Sequence, residues 1–354
     1  MMRLTPGCLD SAKQSIPRSD MKIQQKLLIG ASAICGFAAV KRLRQQQFQF
    51  RGKSVLITGG SRGLGLLLAR EFLSHGARVA ICARDSEELE RARRQLQADV
   101  LTIPVDVTIR EEAELAVAKV SEAFGSLDVL INNAGIIGVG PMDVMTIDDY
   151  RNSLNTHFWG PYFTTTAALR QMKDRRQGRI VNISSIGGKI SIPHLLPYSV
   201  GKFALTAFSE GLRSELRKHG ILVTTVCPGL MRTGSPRNAA FKGNNKAEYA
   251  WFSISAAMPF VSISAERAAR AVVNACARGD AELILSLPAK LAAQVHGVAP
   301  EFTADILWLV DRLLPGPGGI GTETRTGKQS FSKISPSFLT ILNERAAVKN
   351  NEVA

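Results

Sequence analysis

Two groups of residues in this chain have the types and spacing for chemistry. In YSVGK, Tyr198 and Lys202 stand four apart on one face of one helix, so the ammonium lies near the phenol. A free phenol ionises at about pH 10, and a neighbouring cation favours the phenolate, which moves proton exchange toward neutral pH. The second group lies in Val55 to Leu68, VLITGGSRGLGLLL, where apolar β-formers break into glycines and resume as an aliphatic helical pattern. This reads as strand, tight turn and helix. Gly59, Gly63 and Gly65 permit positive φ, admit a pyrophosphate to the backbone and bring helix close to strand. With Ser61, Arg62 and Leu64 of the same turn they form a candidate dinucleotide site. Each group also has a plain reading, a Tyr and a Lys on a helix surface and an ordinary glycine-rich βα turn.

The surrounding elements repeat one pattern. After the opening unit come Gly76 as a helix C-cap, the strand ARVAICA, and a helix from about Ser86 to Leu96. The strand VLTIPVDV follows, then Thr108 with Glu111 three residues on, read as a capping box opening a helix to Phe124. LDVLINNAG and GRIVNISS are strands, with Ile147 to Lys173 helical between them; Pro197 to Lys218 is the next helix, and ILVTTVCPG the next strand. Strands rich in Val, Ile and Leu alternating with helices imply an α/β fold with a doubly wound parallel sheet covered on both faces. Beyond Pro228 the pattern loosens, and Met231 to Val261, with Tyr249, Trp251, Phe252 and Phe260, reads as an apolar lid or binding loop. Ser264 to Arg278 is a helix and Ala281 to Leu287 a last strand. Phe302 to Leu314 carries an apolar stripe at helical spacing, expected to face the core or another subunit.

The composition suits one large domain with tails, expected as a leader 1–50, a catalytic domain 51–290, a helical extension 291–314 and a disordered polar tail 315–354. The formal charge is +14, but residues 1–53 carry ten basic and two acidic residues, so the domain itself is only mildly basic. A basic leader poor in aromatics favours an anionic membrane surface over nucleic acid. Within it, Leu27 to Val40 is an uncharged run of 14 residues between basic flanks. Three readings stay open for this run: a short membrane anchor, which is favoured, an interfacial or targeting helix, or a helix packed on the domain. The five cysteines are scattered without metal spacing, as buried thiols of a reducing compartment would be, and no metal site is expected.

From about Arg51 to Leu287 the chain resembles the short-chain dehydrogenase/reductase (SDR) family. The resemblance rests on TGGSRGLG, the DV at Asp106, NNAG at Asn132 to Gly135, Asn155, the serine pair after VNI, YSVGK at Tyr198, and the PG at Pro228 followed by Thr233. It implies a Rossmann fold, with Tyr198 as general acid/base and Lys202 also holding the nicotinamide ribose. Ser185, thirteen residues before the tyrosine, would bind the substrate oxygen, with Ser184 structural. Asn155 would support a water in the proton relay to Lys202, and His157 would be packing or cofactor-adjacent. Asp106 and Val107 would flank the adenine, Asn133, Ala134 and Gly135 would back the nicotinamide half, Pro228 and Gly229 would also bind the cofactor, and Thr233 would reach the carboxamide. One departure is Gly201, where the family commonly has Ser or Ala.

Charge argues the choice of cofactor. Enzymes using NAD place an acidic residue at the end of the second strand to accept from the ribose diol. Here that position is Ala83, followed by Arg84, with Arg62 in the glycine turn and Asp85 one place late. Two guanidinium groups favour a 2'-phosphate, hence NADP(H) over NAD. The expected activity is hydride transfer between NADP(H) and a carbonyl or alcohol on a hydrophobic substrate, such as a sterol, retinoid or long-chain acyl derivative. The domain would face the cytoplasm, and homo-oligomers follow from the resemblance. The alternatives are a soluble acyl-carrier-protein ketoreductase and a nonenzymatic nucleotide-binding scaffold.

Overall fold

A computed structural model describes residues 47–259 and 261–353. The leader through Val40, with its expected anchor, lies outside the described residues. Among the described residues no helix is long and apolar enough to cross a membrane.

Seven parallel strands build one sheet: β1 (Ser54–Thr58), β2 (Arg78–Ala83), β3 (Val100–Pro104), β4 (Val129–Asn132), β5 (Gly178–Ile183), β6 (Ile221–Pro228) and β7 (Glu282–Leu285). Their order is β7-β6-β5-β4-β1-β2-β3. The chain therefore winds outward from β1 in one direction and from β4 in the other. Ligands of such sheets sit at the carboxyl ends of the strands where the order reverses, here β1 and β4.

The period of two along β1 divides the core. Val55 and Ile57 face a layer made by α1 (Gly63–Ser74) and a later helix carrying Ala268, Val272 and Val273. Leu56 faces the opposite layer, with Val117, Leu130, Ala168, Met172 and Ile180. α2 (Ser86–Leu96) joins the first layer through Leu89 and Ala92, and α3 (Arg110–Phe124), α4 (Ile147–Leu154), α5 (Gly160–Asp174) and α6 (Leu196–Leu216) follow in chain order, with α3, α5 and α6 packing on the Leu56 face. Asp85 caps α2 by accepting from the Glu88 amide at 2.9 Å. The expected box at Thr108 and Glu111 does not form. Thr108 instead donates to Asp106 at 2.8 Å, and α3 starts two residues later behind Ile109, because the Asp106 loop claims that hydroxyl.

The expected helix Ile147 to Lys173 carries a π turn at Asn155–Trp159, closed by the Gly160 amide donating to the Asn155 carbonyl. One extra residue per turn rotates the side chains that follow, and such bulges cluster at functional sites.

Beyond β6 the chain is more ordered than its pattern suggests. α7 (Asn245–Ala257) buries Tyr249 and Phe252 against Val139, Leu195, Ala239 and Phe241. These aromatics form a small core of their own rather than a free lid. α8 (Ala265–Arg278) packs on α1, and α9 (Leu287–Val298) and α10 (Pro300–Asp311) follow β7. The stripe on α10 is outside, with Phe302, Trp308 and Leu309 all exposed. The tail expected to be disordered instead folds onto the domain. Arg325–Thr326 pairs antiparallel with Ala240–Phe241, and α11 (Ile341–Lys349) sets Ala347 against Gly234. Low hydrophobicity misled here because this segment docks largely through amide side chains.

Candidate active site

The glycine turn between β1 and α1 is fixed by close approach. Gly59 has φ of +62°, and a Cβ there would lie 2.8 Å from the Ala134 Cα. A Cβ on Gly65 would overlap the Gly59 carbonyl and lie 2.6 Å from the Asn133 side-chain nitrogen. Asn133 ties this turn to the end of β4 by donating to the carbonyls of Thr58 and Gly59, both at 3.0 Å. Thr58 Oγ1 in turn accepts from the amides of Asn133 and Ala134, both at 3.0 Å. The expected phosphate turn and the expected nicotinamide loop are thus one rigid unit at the point where the strand order reverses.

The unit fits an anion. Gly63, at φ +57°, opens α1 with its amide outward, and the carboxylate of Glu352 lies against it. The Gly63 amide donates to the Asn350 carbonyl at 2.9 Å. Asn351 donates to the carbonyls of Ser61 and Glu88, and Asn350 to that of Thr233. A carboxylate at a helix N-terminus stands where a phosphate would bind. Burial pushes the Glu352 carboxyl up to about 7 despite Arg62 and Asn238 beside it.

Arg62 was expected to face a ribose phosphate but is held by two carboxylates, Glu88 at 2.8 Å and Glu352 at 3.4 Å. Ser61 also donates to Glu88. Arg84 extends into solvent from the end of β2, 3.9 Å from Asp106. Asp85, spent as a helix cap, is not a free acceptor for ribose hydroxyls. Val107 is buried against Gly160, Leu64 packs in the core, and Gly229 donates to the Leu285 carbonyl just after Pro228. Thr233 is buried and pairs with Ser235 at 2.8 Å.

The proton-handling residues converge at the ends of β5 and α6. The Ser185 hydroxyl lies beside the Tyr198 ring across Gly187, and accepts from the Gly187 amide at 3.0 Å. Ser184 bonds the Lys202 carbonyl and Thr206, so it buttresses α6. Lys202 is buried; its Nζ donates to the Ile183 carbonyl at 2.8 Å and lies 5.7 Å from the Tyr198 ring centre. Burial lowers the lysine to about 7. Tyr198 moves opposite to the expected direction: burial raises it above 10, outweighing the Ser185 hydroxyl beside it. A lysine so reduced in charge gives the phenolate little support.

Asn155 is the second correction. It is exposed, and its backbone carbonyl serves the π turn. His157 occupies the place beside the pair. It is fully buried, its ring meets Tyr198 edge-to-face at 5.3 Å, and its Nε2 accepts from the Ile136 amide at 3.3 Å. The signal in the sequence was Gly201. A Cβ there would lie 2.6 Å from Ser153 Oγ and 2.9 Å from His157 Nδ1, so the missing side chain makes room for the imidazole. Glu88 and the Asn350–Glu352 run carried no signal that marked them for the site.

Comparison with known proteins bears on this geometry. The family model described as short chain dehydrogenase matches residues 53–242. A bovine protein, dehydrogenase/reductase SDR family member 7B, is 34% identical over 62% of this chain and 70% of its own length. An Anopheles gambiae protein, SDR family protein 7-like, is 40% identical over 53% of this chain and 62% of its own length. A short-chain dehydrogenase structure from Streptomyces avermitilis aligns over 73% of this chain and 97% of its own, with a TM-score of 0.64 and 30% identity. An actinorhodin polyketide ketoreductase with NADPH covers 66% of this chain and 95% of its own, with a TM-score of 0.60 and 30% identity. With the rigid glycine turn and the Ser185–Tyr198–Lys202 grouping, these findings show that the chain belongs to the short chain dehydrogenase family of oxidoreductases.

Proposed function

We propose that the protein reduces a carbonyl on an apolar substrate with NADPH, using Tyr198 as the proton donor. The observation that carries this reading is the grouping of Ser185 Oγ, the Tyr198 ring and buried Lys202, all packed around Gly187 and the end of β5, with Lys202 Nζ 5.7 Å from the Tyr198 ring centre. Ser185 and Tyr198 together would hold the substrate oxygen. The raised phenol stays protonated at neutral pH, which suits donation to a developing alkoxide. Lys202, at about 7, loads and unloads a proton near neutrality and restores the phenol. Bound NADPH would supply the hydride.

A cleft of about 470 Å³ opens next to the start of α6, with Met142, Ile192, Leu196 and Leu314 on one side and the polar Asp143, Ser191, His194 and Asp311 among its lining, room for a substrate that pairs an apolar body with polar groups. The names of similar proteins favour a second reading: a Streptomyces coelicolor relative, 38% identical over 50% of this chain, is named a putative ketoacyl reductase. The acyl-carrier-protein reading therefore stays as the second one, favoured by those ketoreductases. The test is NADPH oxidation with a panel of apolar ketones and acyl thioesters. Turnover of ketones supports the first reading, thioesters alone the second, and neither contradicts both.

The preference for NADPH rests on Arg84, since Glu88 and Glu352 already engage Arg62. One charged contact to the 2'-phosphate is worth about tenfold to a hundredfold. Arg84→Ala is therefore expected to lower kcat/KM for NADPH by about that factor and leave NADH nearly unchanged, and Arg62→Ala to do less. A wild-type preference for NADH, or equal losses with both cofactors, overturns the assignment.

A phosphate at Gly63 has to displace Asn350 and Glu352. Deleting residues 350–354 is expected to tighten NADPH binding by about tenfold, the equivalent of one charged hydrogen bond. The buried carboxyl has a docked pKa raised to about 7. Docking is thus strongest below its free value and weakens as pH rises through 7. The gain on deletion should be larger at pH 6 than at pH 8, both chosen as about one unit either side of that value. Binding weakened by the deletion would mean that the tail belongs to the cofactor site.

Association with a membrane through residues 27–40 is also proposed, from the uncharged run between basic flanks. Full-length protein should co-sediment with anionic liposomes, and Ile29→Asp with Ile34→Asp should release it. A wild-type chain that stays in the supernatant contradicts the proposal.

A further inference from the structure

The imidazole of His157 is buried at the junction of three parts of the site. Its Nε2 accepts from the Ile136 amide, which belongs to the loop following β4. An acceptor nitrogen carries no proton, so the proton sits on Nδ1, which faces Ser153 Oγ at 3.1 Å and donates to it. The ring edge meets the Tyr198 face at 87°. A Cβ on Gly135 would lie 3.2 Å from Nε2 and 3.7 Å from Lys202 Nζ, so the loop at Gly135 packs against both the imidazole and the lysine. Burial, helped by the charge of Lys202, keeps the imidazole neutral.

Every one of these contacts depends on two features of the chain. The π turn at Asn155–Trp159 places residue 157 on the inner face and leaves Asn155 outside. Gly201 leaves the space that the ring fills, between Ser153 and α6. A larger residue on either side excludes the other.

We propose that His157 is the positioning residue of this active site, holding the Gly135–Ile136 loop against Tyr198 and Lys202, and that Gly201 is its obligatory small partner. This rests on the reading of Tyr198 and Lys202 as the proton-handling pair. One hydrogen bond ties the imidazole to the loop, the other fixes the ring through Ser153 one turn earlier, and the ring's edge-to-face contact with Tyr198 completes the link from the nicotinamide-side loop to the phenol. An error of about 1 Å at such a junction lowers turnover by about a hundredfold while leaving ground-state binding in place.

The test is a two-by-two cycle at His157 and Gly201 in the full chain, read on kcat, KM and NADPH affinity. His157→Phe keeps an aromatic ring, one atom larger, against Tyr198 but loses both hydrogen bonds, and His157→Asn, which is smaller and can still accept from Ile136, separates loss of the hydrogen bond from overpacking. His157→Phe is expected to lower kcat by about thirtyfold or more, with NADPH affinity and KM within about threefold. Gly201→Ala alone pushes the imidazole away and should lower kcat by about tenfold. In a His157→Asn background the same Gly201→Ala change meets only Ser153, so its loss should be clearly smaller than in the wild-type background.

A His157→Phe enzyme with wild-type kcat overturns the inference. So does a Gly201→Ala loss that is equal in both backgrounds, or a loss that appears only in stability or in KM. Tyr198→Phe separates the two levels. If Tyr198→Phe abolishes turnover and His157→Phe does not, only this inference fails. If the wild type turns over nothing, or Tyr198→Phe is fully active, the proposed function fails and the inference with it.

Discussion

Tyr198→Phe should lower turnover by about two or more orders of magnitude and leave NADPH binding nearly intact. The ring packs edge-to-face on His157 and beside Gly187, and phenylalanine keeps both contacts. Only the hydroxyl is lost, and with it the transferable proton next to Ser185. Burial holds the phenol above its ordinary value, so it is a protonated donor at neutral pH. Reduction should therefore persist through neutrality and fall in alkali as the phenol ionises, whereas oxidation of the alcohol should rise over the same range. Steady-state kinetics and fluorescence titration of NADPH check the first point. Near-normal turnover in the variant would remove Tyr198 from the chemistry.

The second large effect is expected at Gly65. Its Cβ position overlaps the Gly59 carbonyl and crowds Asn133, and both neighbours are held by hydrogen bonds to β1 and to the loop after β4. Gly65→Ala cannot be absorbed by a flexible side chain, so helix and turn have to separate. The expected result is a loss of about 1–3 kcal/mol in stability, the usual cost of forced overpacking. Dinucleotide binding should fall by at least about a hundredfold, because the amides facing the phosphates move with the helix. Chemical denaturation and NADPH titration read the two effects separately. Alanine at Gly138, where no atom lies within 4 Å, is the control and should change neither.

How legible the site was depended on the kind of signal. The seven-stranded sheet followed from runs such as VLIT and VLIN, because strands buried on both faces need apolar residues at every position. The glycine turn followed from close approach, which only glycine satisfies. Ser185 over Ser184 followed from spacing, and the structure gives a reason, since Ser184 spends its hydroxyl on α6. Asn155 came from the family motif alone, which says nothing of the local helix, and here the π turn leaves its side chain exposed while His157 is turned inward. The tail failed for a different reason. Its contacts are amides and a carboxylate on backbone groups of the glycine turn, and polar docking leaves no hydrophobic period in the sequence.

His157 lies between these cases. The residue is visible in the sequence, and so is Gly201, but neither is informative alone. Their meaning comes from the missing Cβ at 2.9 Å from Nδ1, a relation between two elements 44 positions apart. The same holds for Glu88, which reads as an ordinary first-turn acid of α2 yet anchors Ser61 and Arg62.

The central claim is hydride transfer to a substrate carbonyl with Tyr198 as the acid, and a label tests it most directly. NADPH deuterated at the transferring carbon of the nicotinamide is incubated with the wild-type protein and a ketone from the active panel, and the product alcohol is analysed by mass spectrometry. The account predicts one deuterium on the carbinol carbon, in an amount matching the NADPH oxidised, and almost none formed by Tyr198→Phe in the same time. Unlabelled alcohol from the wild type, or equal labelled product from Tyr198→Phe, would contradict it.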